Sequence, residues 1–388
     1  MLSGEKLVKI ADAEMGKGGL FVYDSQMMAE TAQNLLDAKM PYGMITRYAV
    51  KANPHPKVIS LFDQMGLHFD AGSAPEAVDL IKEGIDGSKI SLSSQVLDED
   101  EDLSYLLGEG VLPVATTLDQ IRMLGRFGMT ETAVRINPGV GSGHDPRTSV
   151  AGPQSDFGIW HEQLAEVLDE VGHHDMTVNR IHTHIGSGVS DSPESWRKTI
   201  FRSLKIVEQF PDVDTLDIGG GYGVARIPDE KSTNMGAVMR VFGEEIEEFS
   251  ERTGREIKLE IEPGTWLVGN AGTLLGRVKE TPSTSMYDFI RLNVGMNAIL
   301  RISHYGAQHP ITVLNDSKEW KKYVVKGPCC ESGDILTPAP GNPKEIQPRK
   351  LRKVEIGDYL AIGGAGAYCM SMSPIQYNKV PPPTETVV

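Results

Sequence analysis

Lys51 stands in the run Arg47-Tyr48-Ala49-Val50-Lys51-Ala52-Asn53, preceded by apolar Ala49 and Val50 and followed by a turn-forming Asn53-Pro54. That setting puts a lysine amine at the mouth of a buried sheet. Desolvation there is expected to lower its pKa and make it a nucleophile toward carbonyls. A lysine that merely snorkels from a strand end would carry the same local pattern. Three further segments hold residues of complementary chemistry. In Gly219-Gly220-Gly221-Tyr222-Gly223 the missing Cβ atoms let successive backbone N–H groups converge on an anion such as a phosphate, although a tight turn is the bland alternative. No GxGxxG opens a helix at the right place for a dinucleotide. Glu262, in Glu262-Pro263-Gly264, ends an apolar strand-type run. Burial alone would be unfavourable, so it is expected to face a basic nitrogen that it keeps protonated. His182 and His184 share one strand face but have no carboxylate or cysteine at ligand spacing, so no metal is expected, and His184 reads as a flat ring available for stacking. A lysine for an imine, a phosphate cradle, a stacking ring and a carboxylate for a heteroaromatic nitrogen together describe a site for pyridoxal 5'-phosphate (PLP).

These residues must be held by elements that bring distant segments together. Eight β-type runs alternate with helix-type stretches: Ile45–Val50, His68–Ala71, Lys89–Ser93, Leu112–Thr116, Thr132–Asn137, Asn179–His184, Thr215–Ile218 and Lys258–Glu262. Ser73-Ala74-Pro75-Glu76 is a capping box with proline in the first turn of one of the intervening helices. The expected class is therefore α/β, with a closed parallel (β/α)8 barrel as the PLP-binding domain over residues 26–268. An open doubly wound sheet is the competing arrangement. Lys51, His184, Gly219–Gly223 and Glu262 all fall at the ends of such runs, where a barrel builds its sites.

Ahead of the barrel, Leu20–Tyr23 reads as a strand and Ser25 as the cap of a helix running to about Lys39. After residue 270 short β-type runs dominate: Leu274–Val278, Phe289–Val294, Ile311–Leu314, Lys321–Val325 and Tyr359–Ile362. Residues 269–388 are thus expected to form an all-β domain completed by residues 1–25. Gly139–Gly158 reads as a flap rich in Gly, Ser and Pro, and Pro338–Arg349 as a polar surface excursion.

Composition excludes several classes. The 388 residues are 40% hydrophobic and 23% charged, in the range of globular proteins. No apolar run reaches the roughly 20 residues that span a bilayer, and the first residues, with Glu5, Asp12 and Glu14, do not resemble a signal peptide. A net charge of −15 argues against nucleic acid as a partner. The odd set Cys329, Cys330 and Cys369 fits a reducing cytoplasm rather than a disulfide framework.

The ordered motifs Tyr48-Ala49-Val50-Lys51-Ala52-Asn53, His182-Thr183-His184-Ile185-Gly186-Ser187-Gly188, Asp217-Ile218-Gly219-Gly220-Gly221, Glu262-Pro263-Gly264, Cys330-Glu331-Ser332-Gly333-Asp334 and Gly366-Ala367-Tyr368 span nearly the whole chain. They resemble the fold-type III PLP-dependent decarboxylases, the diaminopimelate decarboxylases most closely. The resemblance implies a homodimer with shared active sites and an amino-acid substrate. It implies Lys51 as the imine-forming lysine, His184 stacked on the cofactor ring and Glu262 paired with its nitrogen. Ser187, Gly221, Gly264, Thr265 and Tyr368 would lie about the phosphate. Cys330 of the other subunit would protonate the carbon that loses carbon dioxide, while Glu331 and Tyr368 would contact substrate. Arg301 and Tyr305 match the pair that holds the far carboxylate of diaminopimelate.

The implied reaction is meso-diaminopimelate to L-lysine and carbon dioxide, with D-lysine or D-ornithine decarboxylation as the alternative. An amino-acid racemase or a non-catalytic homologue is more remote, because Glu262 stands where a racemase carries arginine and both Lys51 and Cys330 are present. Two departures stand out. The chain reaches Val388 soon after Tyr377-Asn378, earlier than the family pattern. Thr265 replaces an arginine that in the family helps hold the distal carboxylate; a hydroxyl cannot reproduce a bidentate guanidinium, at a loss on the order of 1.5–3 kcal/mol.

Overall fold

A computed structural model describes residues 2–141, 151–186 and 192–388. The chain begins with α1 (Gly4–Glu14), β1 (Leu20–Tyr23) and α2 (Ser25–Leu36). An alternating run follows: β2 (Met44–Ala49), α3 (Pro56–Gln64), β3 (His68–Ala71), α4 (Ala74–Lys82), β4 (Ile90–Leu92), α5 (Glu101–Gly108), β5 (Leu112–Ala115), α6 (Leu118–Arg126), β6 (Glu131–Asn137), β7 (Ile159–Trp160), α7 (Leu164–His173), β8 (Thr177–His182), α8 (Pro193–Val207), β9 (Thr215–Asp217), α9 (Met235–Thr253), β10 (Lys258–Ile261) and α10 (Thr265–Val268). The remainder is mostly strand: β11 (Gly272–Glu280), β12 (Phe289–Leu292), α11 (Leu300–Tyr305), β13 (Ile311–Val313), β14 (Trp320–Lys326), β15 (Pro338–Ala339), β16 (Asn342–Ile346), β17 (Arg349–Arg352), β18 (Tyr359–Gly363) and β19 (Thr384–Val387).

Eight parallel strands run in the order β5-β4-β3-β2-β10-β9-β8-β6, and the β5–β6 pairing closes the circle. The expected (β/α)8 barrel is therefore present and the open-sheet alternative is not. Each of the eight expected runs overlaps a barrel strand, with ends shifted by up to two residues, because apolar positions that must be buried on both faces leave few other registers. The short β7 adds to β6 outside the barrel, pairing Asn137 with Trp160. Register then decides which polar residues meet. Pairing of Ala49 with Asp70 sets the turn after β2 beside β3, and pairing of Asp217 with both His182 and Glu260 sets β9 between β8 and β10.

The barrel interior carries a charged layer. Arg47 donates from Nε and Nη2 to the two oxygens of Glu260 at 2.8 Å each, and Arg180 Nη1 donates to Glu260 Oε2 at 2.8 Å. Burial opposes ionisation of Glu260, but the two guanidiniums win and hold its carboxyl far below the usual range.

The second sheet runs β13-β18-β11-β12-β14-β17, and β1 joins it antiparallel to β11 while taking β19 as a parallel neighbour. The N-terminal strand thus completes a sheet whose other strands come from the far end of the chain. Several local expectations are corrected. The cap of α2 is Asp24, whose Oδ1 accepts from Met27 N at 3.0 Å, because Ser25 Oγ is engaged in donating to Val388 O at 2.7 Å. That helix ends at Leu36 rather than near Lys39. Pro338–Arg349, expected as a polar surface excursion, is largely exposed and takes the form of a β15–β16 hairpin leading into β17. The capping box holds in its first half: Ser73 Oγ accepts from Glu76 N at 3.3 Å at the start of α4, while Glu76 Oε2 accepts from Gly72 N at 2.8 Å rather than from Ser73 N. Residues 142–150 of the expected flap lie outside the described residues.

Candidate active site

Five strand ends deliver the chemistry. After β2 the backbone turns through Val50–Ala52, and this turn presents Lys51, whose side chain is half exposed. Its Nζ donates to Asp70 Oδ2 at 2.9 Å, from the end of β3. The expected depression of its pKa does not occur. Burial pulls the ammonium down, yet Asp70, helped by Tyr368 and Glu262, outweighs it and holds Lys51 above its ordinary value. Asp70 was invisible as a partner because it lies one barrel strand away.

His182 ends β8, Asp217 ends β9 and Glu262 follows β10. One ligand-type atom of each lies within 4.8 Å of the others, and all three residues are buried. The carboxylates missing from the local spacing around His182 are thus supplied by neighbouring strands. His182 Nε2 lies 3.5 Å from Glu262 Oε2. Burial drives its pKa down to about 4, so the ring is neutral. Burial pushes Asp217 well above the carboxylate range, with the adjacent Glu262 adding to it. Glu262 is pushed up to about 7, first by burial and then by the charge on Asp70. The contrast with Glu260 is instructive. Two residues apart, both face the barrel axis, but Glu260 meets two arginines and Glu262 meets another carboxyl. Glu262 Oε1 is buried with no hydrogen-bond partner.

The glycine run begins where Asp217 Oδ1 accepts from Gly219 N at 2.8 Å. Gly219 has φ +72, and a Cβ there would sit 2.7 Å from His184 Nδ1. Only glycine lets the ring of His184 lie against this turn. Gly264 is closely approached as well: a Cβ would fall 3.1 Å from Tyr368 Oη and 3.1 Å from the Ala52 methyl. Tyr368 itself has φ +53, a conformation that an aromatic residue adopts only under constraint. The constraint is visible: Tyr368 N donates to Ala52 O at 2.8 Å, and Ser371 Oγ donates to Lys51 O at 2.9 Å. The Gly366–Ser371 loop is thereby pinned to the turn that carries Lys51.

Lys51, His184, Glu262, Gly221, Gly264 and Tyr368 are therefore gathered at one barrel mouth. Thr265 and Arg301 border it, Thr265 half-buried at the start of α10 and Arg301 buried on α11 with Nη1 unpartnered. Tyr305 is half-buried at the end of the same short helix. Cys330 and Glu331 stand apart on an exposed turn: Cys330 N donates to Asn378 Oδ1 at 2.8 Å, and Tyr377 Oη donates to Glu331 Oε2 at 3.1 Å. Buried Asp334 supports that turn by accepting from Cys329 N at 2.8 Å and Met296 N at 2.7 Å. Ser187 lies outside the described residues.

The donor set fits PLP. An unpartnered buried carboxylate oxygen suits a protonated ring nitrogen, the His184 face suits an aromatic ring, and the close approach allowed by Gly219 seats that ring against the turn. Residues 28–269 match the family model described as pyridoxal-dependent decarboxylase, pyridoxal binding domain. The chain belongs to the pyridoxal-dependent decarboxylase family. Among its relatives, a diaminopimelate decarboxylase of Streptomyces coelicolor is 30% identical over all of this chain and 88% of its own length. The diaminopimelate decarboxylase of Escherichia coli K12 is 30% identical over 98% of this chain and 90% of its own. A crystal structure of diaminopimelate decarboxylase superposes with a TM-score of 0.87 at 27% identity, over 96% of this chain and 88% of that one. PLP is the cofactor of this decarboxylase; when bound it supplies an aldehyde that condenses with amines and a ring that withdraws electrons from the bond being broken. Sequence reasoning missed Asp70 and Asp217, although an acid in the last positions of an apolar strand, as in Phe69-Asp70-Ala71, is the signal by which both could have been found.

Proposed function

We propose that this decarboxylase removes the carboxylate at the D centre of meso-diaminopimelate, giving L-lysine and carbon dioxide. One observation carries the choice of substrate: Arg301 is buried beside the site with Nη1 unpartnered. A cation in that position calls for an anion, and the distal carboxylate of diaminopimelate supplies one where D-lysine and D-ornithine have none. The names of the relatives support the same reading. Half-buried Thr265, lacking a guanidinium, favours the second reading, a D-lysine or D-ornithine decarboxylase.

In this reading Lys51 holds PLP through its amine, and Asp70 sets the protonation of that amine. His184 packs on the ring, and Glu262 keeps the ring nitrogen protonated. Gly221, Gly264, Thr265, Tyr368 and Ser187 receive the phosphate. Arg301, Tyr305, Glu331 and Tyr368 position the substrate, and Cys330 Sγ returns a proton to the carbon that has lost carbon dioxide. Exposure of Cys330 and Glu331, away from the barrel-mouth cluster, supports a homodimer in which each copy completes the other's site. Residues 26–268 then act as the cofactor domain, and 1–25 with 269–388 as the domain that reaches across. Three unpaired cysteines support a cytoplasmic setting, and no described helix is long and apolar enough to cross a membrane.

The test is carbon dioxide release by PLP-loaded protein, with meso-diaminopimelate, D-lysine and D-ornithine at equal concentration. A strong preference for diaminopimelate is expected. Preference for either D-amino acid would replace this function with the second reading.

A further inference from the structure

Arg301 is not the only guanidinium at this edge of the site. Arg226 follows the glycine run on the loop after β9, and its backbone N donates to Glu230 Oε2 at 2.8 Å. Its side chain crosses to the β-rich domain: Nε donates to Gly364 O at 3.1 Å, and a Cβ on Gly364 would meet the Arg226 side-chain carbons at 2.8 Å. The Nη2 end is buried without a hydrogen-bond partner, as is Nη1 of Arg301. Neither arginine forms an ion pair with a described residue. The charge on Arg301 nevertheless reaches Arg226. Arg226 is pulled down to about 9, chiefly by burial and then by the charge on Arg301. Neutral His309 adds no anion: burial lowers it well below its usual range, and Arg226 and Arg301 lower it further. Cys369 feels both arginines as well and is the next residue after Tyr368.

Two buried cations, one within reach of the other's charge and each with an unpartnered N–H group, are a poor arrangement for an empty wall and a good one for a carboxylate. Arg226 Nη2 also lies beside Thr265: both flank the point where a Cβ on Gly269 would be, Thr265 Cγ2 at 3.3 Å and Arg226 Nη2 at 3.8 Å. We infer that Arg226 is a specificity-determining residue that, together with Arg301, clamps the distal carboxylate of the substrate in the space beside Thr265. The inference rests on the proposed function above and adds to it the residue that makes selection of a dicarboxylate possible without an arginine at 265. The cofactor phosphate is the competing anion, which the proposed function assigns to the glycine turns and their neighbours, so cofactor affinity is measured as well.

The experiment uses PLP-loaded protein and reads the ratio of kcat/KM for meso-diaminopimelate to that for D-lysine, with the cofactor dissociation constant measured alongside. Arg226→Met is expected to lower the ratio about 10- to 100-fold, the range for one charge-assisted hydrogen bond, through KM for diaminopimelate. Adding Thr265→Arg to Arg226→Met returns a guanidinium to the same space and is expected to recover most of the ratio. A ratio unchanged in Arg226→Met overturns the inference while leaving the proposed function intact. So does a loss confined to cofactor affinity, which would assign Arg226 to the phosphate. A parent enzyme that favours D-lysine overturns the proposed function and the inference with it. If Arg226→Met does not fold, Arg226→Lys carries the test: it keeps the charge but loses the fork, and a ratio equal to the parent's overturns the clamp.

Discussion

Glu262→Gln should stabilise the cofactor-free protein at alkaline pH while weakening its hold on PLP. The side chain is 6% exposed, lies beside Asp217 and titrates near 7 rather than at its ordinary 4.5. The native state therefore binds a proton that the unfolded state releases between those values, and stability falls as pH rises through 7. At ~1.4 kcal/mol per pH unit the full effect is about 3 kcal/mol, and about 2–3 kcal/mol once the proton shared with Asp217 is allowed for. Glutamine has the shape of the protonated acid without its charge. The variant should match the parent only below about pH 4.5, lead it by about 1.4 kcal/mol at pH 5.5, and melt higher at pH 8.5 by about 3 °C, given an unfolding entropy near 2.1 cal/mol/K per residue. Scanning calorimetry of both apo-proteins at the two pH values measures this. Added PLP should raise the melting temperature of the parent more than that of the variant. A variant that melts no higher at pH 8.5, or that gains as much at pH 5.5, would refute the claim that Glu262 is a strained carboxylate waiting for a cationic partner.

Asp70→Asn removes the strongest of the groups that keep Lys51 protonated, so its pKa falls and the amine becomes more reactive; acylation of Lys51 in the apo-protein at pH 8, followed by peptide mass spectrometry, should speed up, and an unchanged rate would clear Asp70 of this role. Gly219→Ala forces an alanine to φ +72 and drives its methyl into His184, which should cost about 1–3 kcal/mol in chemical denaturation and reduce PLP affinity; a neutral substitution would mean that the turn and ring are free to move apart. Arg47→Leu strips one partner from a buried carboxylate and should destabilise by about 3–5 kcal/mol, less whatever Arg180 recovers, with a shallower loss at low pH as Glu260 takes up a proton.

Much of this protein is legible locally. The eight barrel strands, the capping box at Ser73 and the β-type runs after residue 270 follow from hydrophobic period and turn chemistry, which act over a few residues. The residue types of the site, Lys51, His184, the glycine run and Glu262, announce themselves because each is out of place in an apolar or regular setting. Where long-range partners compete with a local signal, the partner wins: Ser25 is taken by Val388, so Asp24 caps α2. Closure of the barrel and the insertion of β1 between β11 and β19 are decided by pairings between segments far apart in the chain.

The same division governs the chemistry. Sequence determined which groups exist; tertiary structure determined their charge. Lys51 was expected to be depressed and is raised, because strand register sets Asp70 at 2.9 Å from its amine. Glu260 and Glu262 are two residues apart in one strand-type run, yet the first is held ionised by Arg47 and Arg180 while the second is pushed up by burial and neighbouring carboxylates. Arg226 carries no local mark at all, and only the crossing of its side chain to Gly364 puts it beside Thr265 and within reach of the charge on Arg301. Electrostatic energy depends on distances across the barrel and between domains, and a linear sequence holds no record of those distances until the chain has folded.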